Sequence, residues 1–345
     1  GEKLNAFTIV DPEKVLAAAS ESEQRWMAGE PKGLCDGVPT TIKDLVITEG
    51  WPTLRGSRSV KRDQVWDEDA PCVARLKEHG AVLLGKTTTP EFGHKGVTDS
   101  LLTGITRNPW NLEKTPGGSS GGASAAVAAG MGQLAIGTDA GGSIRIPACF
   151  AGIYGLKPTF GRVPMYPASP FGTLSHTGPM TRTVGDAALM LTVISQPDAR
   201  DWYGLPYDGV DYTKMLGSGI RGLKIGFSNN LGLDVNVSTE VANAVSSAST
   251  IFSELGATVE AVSINWPTSP RDIFLVHFAA GAATLMSMLP IEQKEQIEPT
   301  LKEMAAEGDK LDLLSVKKAE LDRVSNGIYM NQLLTQYDLL ICPTL

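Results

Sequence analysis

The chain has 345 residues, 42% hydrophobic and 20% charged, a globular balance with length enough for a large core or two domains. Acidic residues outnumber basic ones 38 to 30, a formal net charge of −8 that argues against nucleic-acid backbones and anionic membranes as partners. No apolar run approaches the roughly 18 residues of a membrane span, and GEKLNAF at the start lacks the features of a secretion signal, so a soluble, cytoplasmic protein is expected.

Helix and strand signals alternate from there. In DPEKVLAAASESEQRWMAG, Asp11 stands as N-cap and Pro12 as first helical residue, with Val15, Ala18, Ala19 and Trp26 at roughly helical spacing. DAPCVARLKEHG repeats the recipe: Asp69 caps, Pro71 starts and Gly80 stops a helix, and AVLLG follows as a buried strand. Gln133–Asp139 and Ile153–Pro158 read as strands, Gly185–Ser195 as a helix and Leu223–Phe227 as a strand. Then come a helix over 239–257, a strand over 258–262, a mostly helical stretch from Ala279 to Gln336, and a last strand, LLICP. This interleaving predicts an α/β fold around a large mixed or mostly parallel sheet.

No repeat stands out, and 1–345 reads as a single domain. The Pro-, Gly- and Asp-rich stretch 195–222 is a long loop or a weak subdomain boundary. The ending LLICPTL, an apolar strand running to the last residue, raises the expectation that the domain is incomplete at its C-terminus. The four cysteines (Cys35, Cys72, Cys149, Cys342) lack metal-ligand spacing and read as reduced thiols. The four histidines (His79, His94, His176, His277) are scattered, so no metal site is expected.

Glycine-rich motifs raise three readings that fail on context. Gly80–Thr87 satisfies GxxxxGK[ST], but Ala-Val-Leu-Leu inside it belongs in a buried strand and not in an exposed phosphate cradle. Gly118–Gly122 matches the nucleophile-elbow pattern GxSxG around Ser120, yet the polar NLEKTP before it is no strand. A flexible linker is excluded because GASAAVAAGMG follows, small apolar residues suited to a closely packed helix.

A second site, GTDAGGSIRIPACF, carries more. A buried strand ends in Asp139-Ala140-Gly141-Gly142-Ser143, where paired glycines let consecutive N–H groups point one way, as an oxyanion hole requires. Upstream, Lys43 follows Val38, Pro39 and Ile42; burial there would lower its pKa and fit it as a base. Two serines and such a lysine amount to an acyl-transfer apparatus without histidine.

PGGSSGGASAAVA, GTDAGGSIRIPA, GVPTTIKD and GLKPTFGRVP, with NPWN and GPMTRTVGDAALML, together resemble the amidase signature family, over essentially the whole chain. The resemblance implies that family's fold, a central sheet covered by helices on both faces, and hydrolysis of a carboxylic amide to acid and ammonia or amine without a cofactor. It further implies Ser143 as nucleophile, Ser119 after a cis Gly118–Ser119 bond as bridging serine, and Lys43 as base. Backbone N–H groups of Ala140, Gly141, Gly142 and Ser143 would form the oxyanion hole. Gly118, Ser120, Thr138, Asp139 and Arg145 would support it, and Phe92, Gly93 and His94 would border the substrate.

The partner expected is a small-molecule amide, with no nucleic acid and no membrane; a homodimer is one option for the assembly. Two alternatives stay open: the glutamine-hydrolysing component of a tRNA-dependent amidotransferase, and a catalytically idle amidase-like binding protein.

Overall fold

The computed structural model describes residues 3–345. In chain order it holds β1 (Phe7–Val10), α1 (Pro12–Ala28), β2 (Pro39–Lys43), α2 (Pro71–Glu78), β3 (Val82–Thr87), a short hairpin of β4 (Asp99–Ser100) and β5 (Gly104–Ile105), and α3 (Gly121–Ala128). Then follow β6 (Leu134–Asp139), α4 (Arg145–Ala151), β7 (Tyr154–Gly155), β8 (His176–Thr181), α5 (Val184–Ile194), β9 (Lys224–Phe227), α6 (Thr239–Glu254) and β10 (Thr258–Ala261). The chain continues through α7 (Pro270–Met288), α8 (Ile291–Lys294), α9 (Pro299–Gly308), α10 (Leu313–Leu333) and β11 (Leu339–Ile341). Two compact units share it: residues up to Lys214 with Gly281–Ala306, and Met215–Ala280 with Glu307–Leu345. No helix among the described residues is long and apolar enough to cross a membrane.

In the first unit, β1-β3-β2-β6-β8-β7 form a mixed six-stranded sheet in which β1 and β8 oppose the direction of the other four. Alternation along the central strands decides what covers each face. Ile42 lies opposite Ile136, and with Leu134 they pack against Val73 and Leu76 of α2 and Met190, Val193 and Ile194 of α5. Ala135, between Leu134 and Ile136, turns to the other face and meets Ala123 and Val127 of α3, Ala148 of α4 and Ile144 at the N-cap of α4. Each large apolar side chain so buried contributes about 1.5–3 kcal/mol. The second unit carries a parallel sheet, β10-β9-β11.

The caps explain where helices begin. The Asp11 carboxylate accepts the Lys14 N–H at 3.2 Å, and Gly29, at φ 75°, closes α1. For α2 the expected cap fails: Ala70 occupies the N-cap position without a side-chain bond. Asp69 instead accepts the Glu49 N–H at 2.8 Å and pairs with Lys77 at 2.7 Å. The strand expected over Ile153–Pro158 shrinks to Tyr154–Gly155.

Candidate active site

Lys43 is the last residue of β2 and follows Ile42, which points to the α2/α5 face; period-two alternation therefore sends Lys43 toward α3. Its side chain is fully buried. Three hydroxyls meet its Nζ: Ser119 Oγ at 2.6 Å, Ser120 Oγ at 2.9 Å and Thr138 Oγ1 at 2.9 Å. Burial lowers the Lys43 pKa to about 7, with Asp139 pulling in the opposite direction.

The Gly/Ser stretch before α3 has a fixed shape. The Gly118–Ser119 peptide is cis and Gly117 sits at φ 80°. A Cβ on Gly118 would stand 2.6 Å from the Val97 backbone, so only glycine fits there. Thr98 Oγ1 donates to the Gly117 carbonyl at 2.8 Å and accepts the Gly121 N–H at 3.1 Å. The Gly122 N–H goes to the Thr88 carbonyl at 3.2 Å and the Ser120 N–H to the Ser143 carbonyl at 3.1 Å. That last bond ties the loop to the one carrying Ser143.

The hydroxyl protons separate the two neighbouring serines. Ser120 Oγ donates to the Thr138 carbonyl at 3.2 Å and accepts the Thr138 N–H at 3.3 Å, so toward Lys43 it can only accept. Buried Ser119 has only Lys43 as side-chain partner among the described residues. Of the two serines, it is the one whose hydroxyl can give its proton to a neutral lysine.

Asp139, at the end of β6, organises the turn that follows. Its carboxylate accepts the N–H groups of Gly142 at 2.7 Å, Ile144 at 3.1 Å and Arg145 at 3.4 Å, and pairs with the Arg145 guanidinium through two 2.9 Å bonds. Burial alone would raise this carboxyl; the bonds and charge of Arg145, with the two amides, outweigh it and hold it at about 2. The Gly142 N–H, expected among the oxyanion donors, donates to Asp139 in this structure. The N–H groups of Ala140, Gly141 and Ser143 have no protein acceptor among the described residues.

A family model described as Amidase matches residues 1–345. The chain belongs to the amidase family. An acylamidase from Rhodococcus erythropolis is 38% identical over 344 residues, 99% of this chain and 72% of that protein. The glutamyl-tRNA(Gln) amidotransferase of Chloroflexus aurantiacus has an A-type component that is 42% identical over 262 residues, 76% of this chain; the match spans about half of that component's length, 53%. Among solved structures, a bacterial aryl acylamidase of the amidase signature family superposes with a TM-score of 0.91 at 34% identity, covering 99% of this chain and 73% of that one.

In this amidase-family chain the turn Glu91–Gly93 lies beside the Gly/Ser loop. A Cβ on Gly93 would stand 3.2 Å from Ser119 Oγ, so the Gly93 backbone borders that hydroxyl. Phe92 and His94 are engaged elsewhere. Phe92 packs with Ala282, Leu285, Ile297 and Leu301. His94 holds the Glu91 carbonyl at 2.8 Å through Nδ1 and meets Thr300 Oγ1 at 3.0 Å through Nε2. Glu91 is buried too, accepting from Ser57 Oγ at 2.6 Å and the Glu298 N–H at 2.7 Å.

Sequence reading did not single out Lys86, a second fully buried lysine. It donates to the Val46 carbonyl, to Thr53 Oγ1 at 2.9 Å and to Thr48 Oγ1 at 3.1 Å, holding the segment that leaves Lys43. Burial pushes its pKa down, opposed by Asp44. The available signal was a lysine inside an otherwise buried strand.

Proposed function

We propose that the protein hydrolyses a carboxylic amide through a seryl acyl-enzyme, with Ser143 as nucleophile, Ser119 as proton relay and Lys43 as base. The observation that carries this reading is the buried Lys43 Nζ, 2.6 Å from the Ser119 hydroxyl. A lysine with a pKa lowered to about 7 is neutral in a large fraction of molecules at neutral pH, which a base requires.

Neutral Lys43 takes the Ser119 proton while Ser119 takes the Ser143 proton, and Ser143 Oγ attacks the carbonyl carbon. The N–H groups of Ala140, Gly141 and Ser143 receive the oxyanion; one such donor is worth about 2.7–4 kcal/mol in a related setting. As the C–N bond breaks, Ser119 passes a proton to the leaving nitrogen and recovers one from Lys43, leaving an ester on Ser143. Water then gives its proton to the same relay and attacks the ester, which releases the acid and restores Ser143. Every proton taken by Lys43 is returned within one half-reaction.

The test is Ser143→Ala assayed on a panel of simple amides, with fluorophosphonate labelling followed by intact mass. We expect turnover to fall by orders of magnitude and the adduct to disappear, as loss of a nucleophile does in serine hydrolases. An adduct that survives the substitution rejects the assignment. A second reading is favoured by the 42% identity to the amidotransferase component: glutamine hydrolysis feeding ammonia to a partner. Rapid turnover of simple amides by the chain alone would reject it.

A further inference from the structure

An aromatic-walled cleft in the first unit is lined by Phe160, Val163, Met165, His176, Trp202 and Tyr203 among others, and by none of Lys43, Ser119 and Ser143. Phe160 meets the His176 ring edge-on at 5.7 Å between centroids and the Tyr203 ring at 5.6 Å. Trp202 lies 4.5 Å from Tyr203 and is 83% exposed, so a pair of rings stands uncovered at the mouth. The cavity measures about 80 Å³. That limits an occupant to a single ring whose outer edge stays in the mouth, since a cavity of about 150 Å³ encloses a whole benzene.

His176, which lines the cleft together with polar Thr159, Ser169, Thr177, Arg200 and Asp201, leaves its Nε2 without a protein partner among the described residues. His176 Nδ1 stands 2.7 Å from the Leu174 carbonyl and 3.3 Å from the Asp139 carbonyl. Carbonyl oxygens only accept, so Nδ1 carries the hydrogen and Nε2 presents a lone pair. Burial, then the charge of Lys157, lowers the His176 pKa and favours this neutral form. We propose that the cleft binds a small aromatic molecule bearing an O–H or N–H donor, such as a phenol or an arylamine. Its ring packs between Phe160, Met165 and Tyr203, and its donor bonds to His176 Nε2. Offset and edge-on ring contacts reward a flat aromatic over an aliphatic of equal size. The free acceptor rewards a donor on that ring. Through Nδ1 the same imidazole touches Asp139, so an occupant sits one hydrogen bond from the turn that carries Ser143.

The probes are p-cresol and toluene, titrated into protein labelled with ¹³C at the methionine methyls, Met165 being assigned with Met165→Leu. We expect p-cresol to shift the Met165 methyl and to bind about tenfold more tightly than toluene, the worth of one hydrogen bond. Tyr203→Ala, at a half-exposed position that leaves the core intact, should weaken both probes. His176→Phe should keep the ring packing and erase the preference for p-cresol. An unshifted Met165 methyl, equal affinity for the two probes, or a preference that survives His176→Phe overturns the proposal.

Discussion

A lysine sealed from solvent beside three hydroxyls makes stability depend on pH with a definite sign. In the folded chain the Lys43 pKa is lowered to about 7 from the 10.5 of a free side chain. Between those values the unfolded chain holds a proton that the folded chain has released. Raising the pH therefore favours folding, at a slope approaching about 1.4 kcal/mol per unit. Below pH 7 both states carry the proton and the burial cost stands in full. We expect Lys43→Met to be more stable than the parent at pH 6, with the advantage shrinking from pH 7 toward pH 10. Lys86 titrates in both proteins and cancels in the comparison. The unpartnered hydroxyls left by methionine add a constant offset, so the slope is the diagnostic quantity. Denaturant midpoints measured from pH 6 to 9.5 supply it, and a difference that does not change with pH would show that Lys43 is not deprotonated by burial.

At the scale of elements, local chemistry was legible where it acts locally. Asp11, Pro12 and Gly29 place α1 almost to the residue, because cap, first turn and left-handed stop all lie within its own sequence. β8 escaped that reading because Gly178 and Pro179 stand in the middle of a strand flanked on both sides, where proline is rare. The site divides in the same way. Its motifs name Lys43, Ser119 and Ser143, but the loss of the Gly142 amide to Asp139 follows from how the turn closes in space, which spacing does not encode. The glycines at the start of α3 are likewise explained only by their neighbours. A Cβ on Gly122 would meet the Thr88 backbone and stand 2.7 Å from the Ala6 carbonyl oxygen. We expect Gly122→Ala to destabilise by about 1–3 kcal/mol, the usual cost of overpacking, and to lower turnover by shifting the Ser119 loop. Gly327, inside α10, has nothing within 4 Å of its Cβ position, so Gly327→Ala should instead gain about 0.5–1 kcal/mol. Chemical denaturation of both variants checks the contrast; equal effects would remove close approach as the reason for Gly122.

For the whole molecule, the two units differ in how much apolar surface they bury internally. In the first, β2 and β6 are enclosed by helices on both faces, with Ile42, Leu134, Ile136, Met190 and Ile194 all essentially inaccessible. In the second, α6 buries only Ser249, and the fully or nearly buried apolar residues are few, among them Ile225, Ile264 and Ala319. Local opening costs least where few buried contacts are lost, so backbone amides should exchange in two tiers. We expect the amides of β2, β6 and α5 to exchange with deuterium at the slowest rates. Those of β9, β10 and α6 should exchange faster by orders of magnitude in native buffer, because each factor of ten needs only about 1.4 kcal/mol less opening free energy. Mass-spectrometric exchange over seconds to hours resolves the tiers. Uniform protection across both units would mean that they open as one cooperative body, and that the unequal burial has no energetic consequence. The prediction also bears on chemistry. Lys43, Ser119 and Ser143 all belong to the first unit, at strand ends and turns anchored to its slow-exchanging sheet, so the amides around Thr138 and Asp139 should share the protection of β6 rather than exchange like a loop.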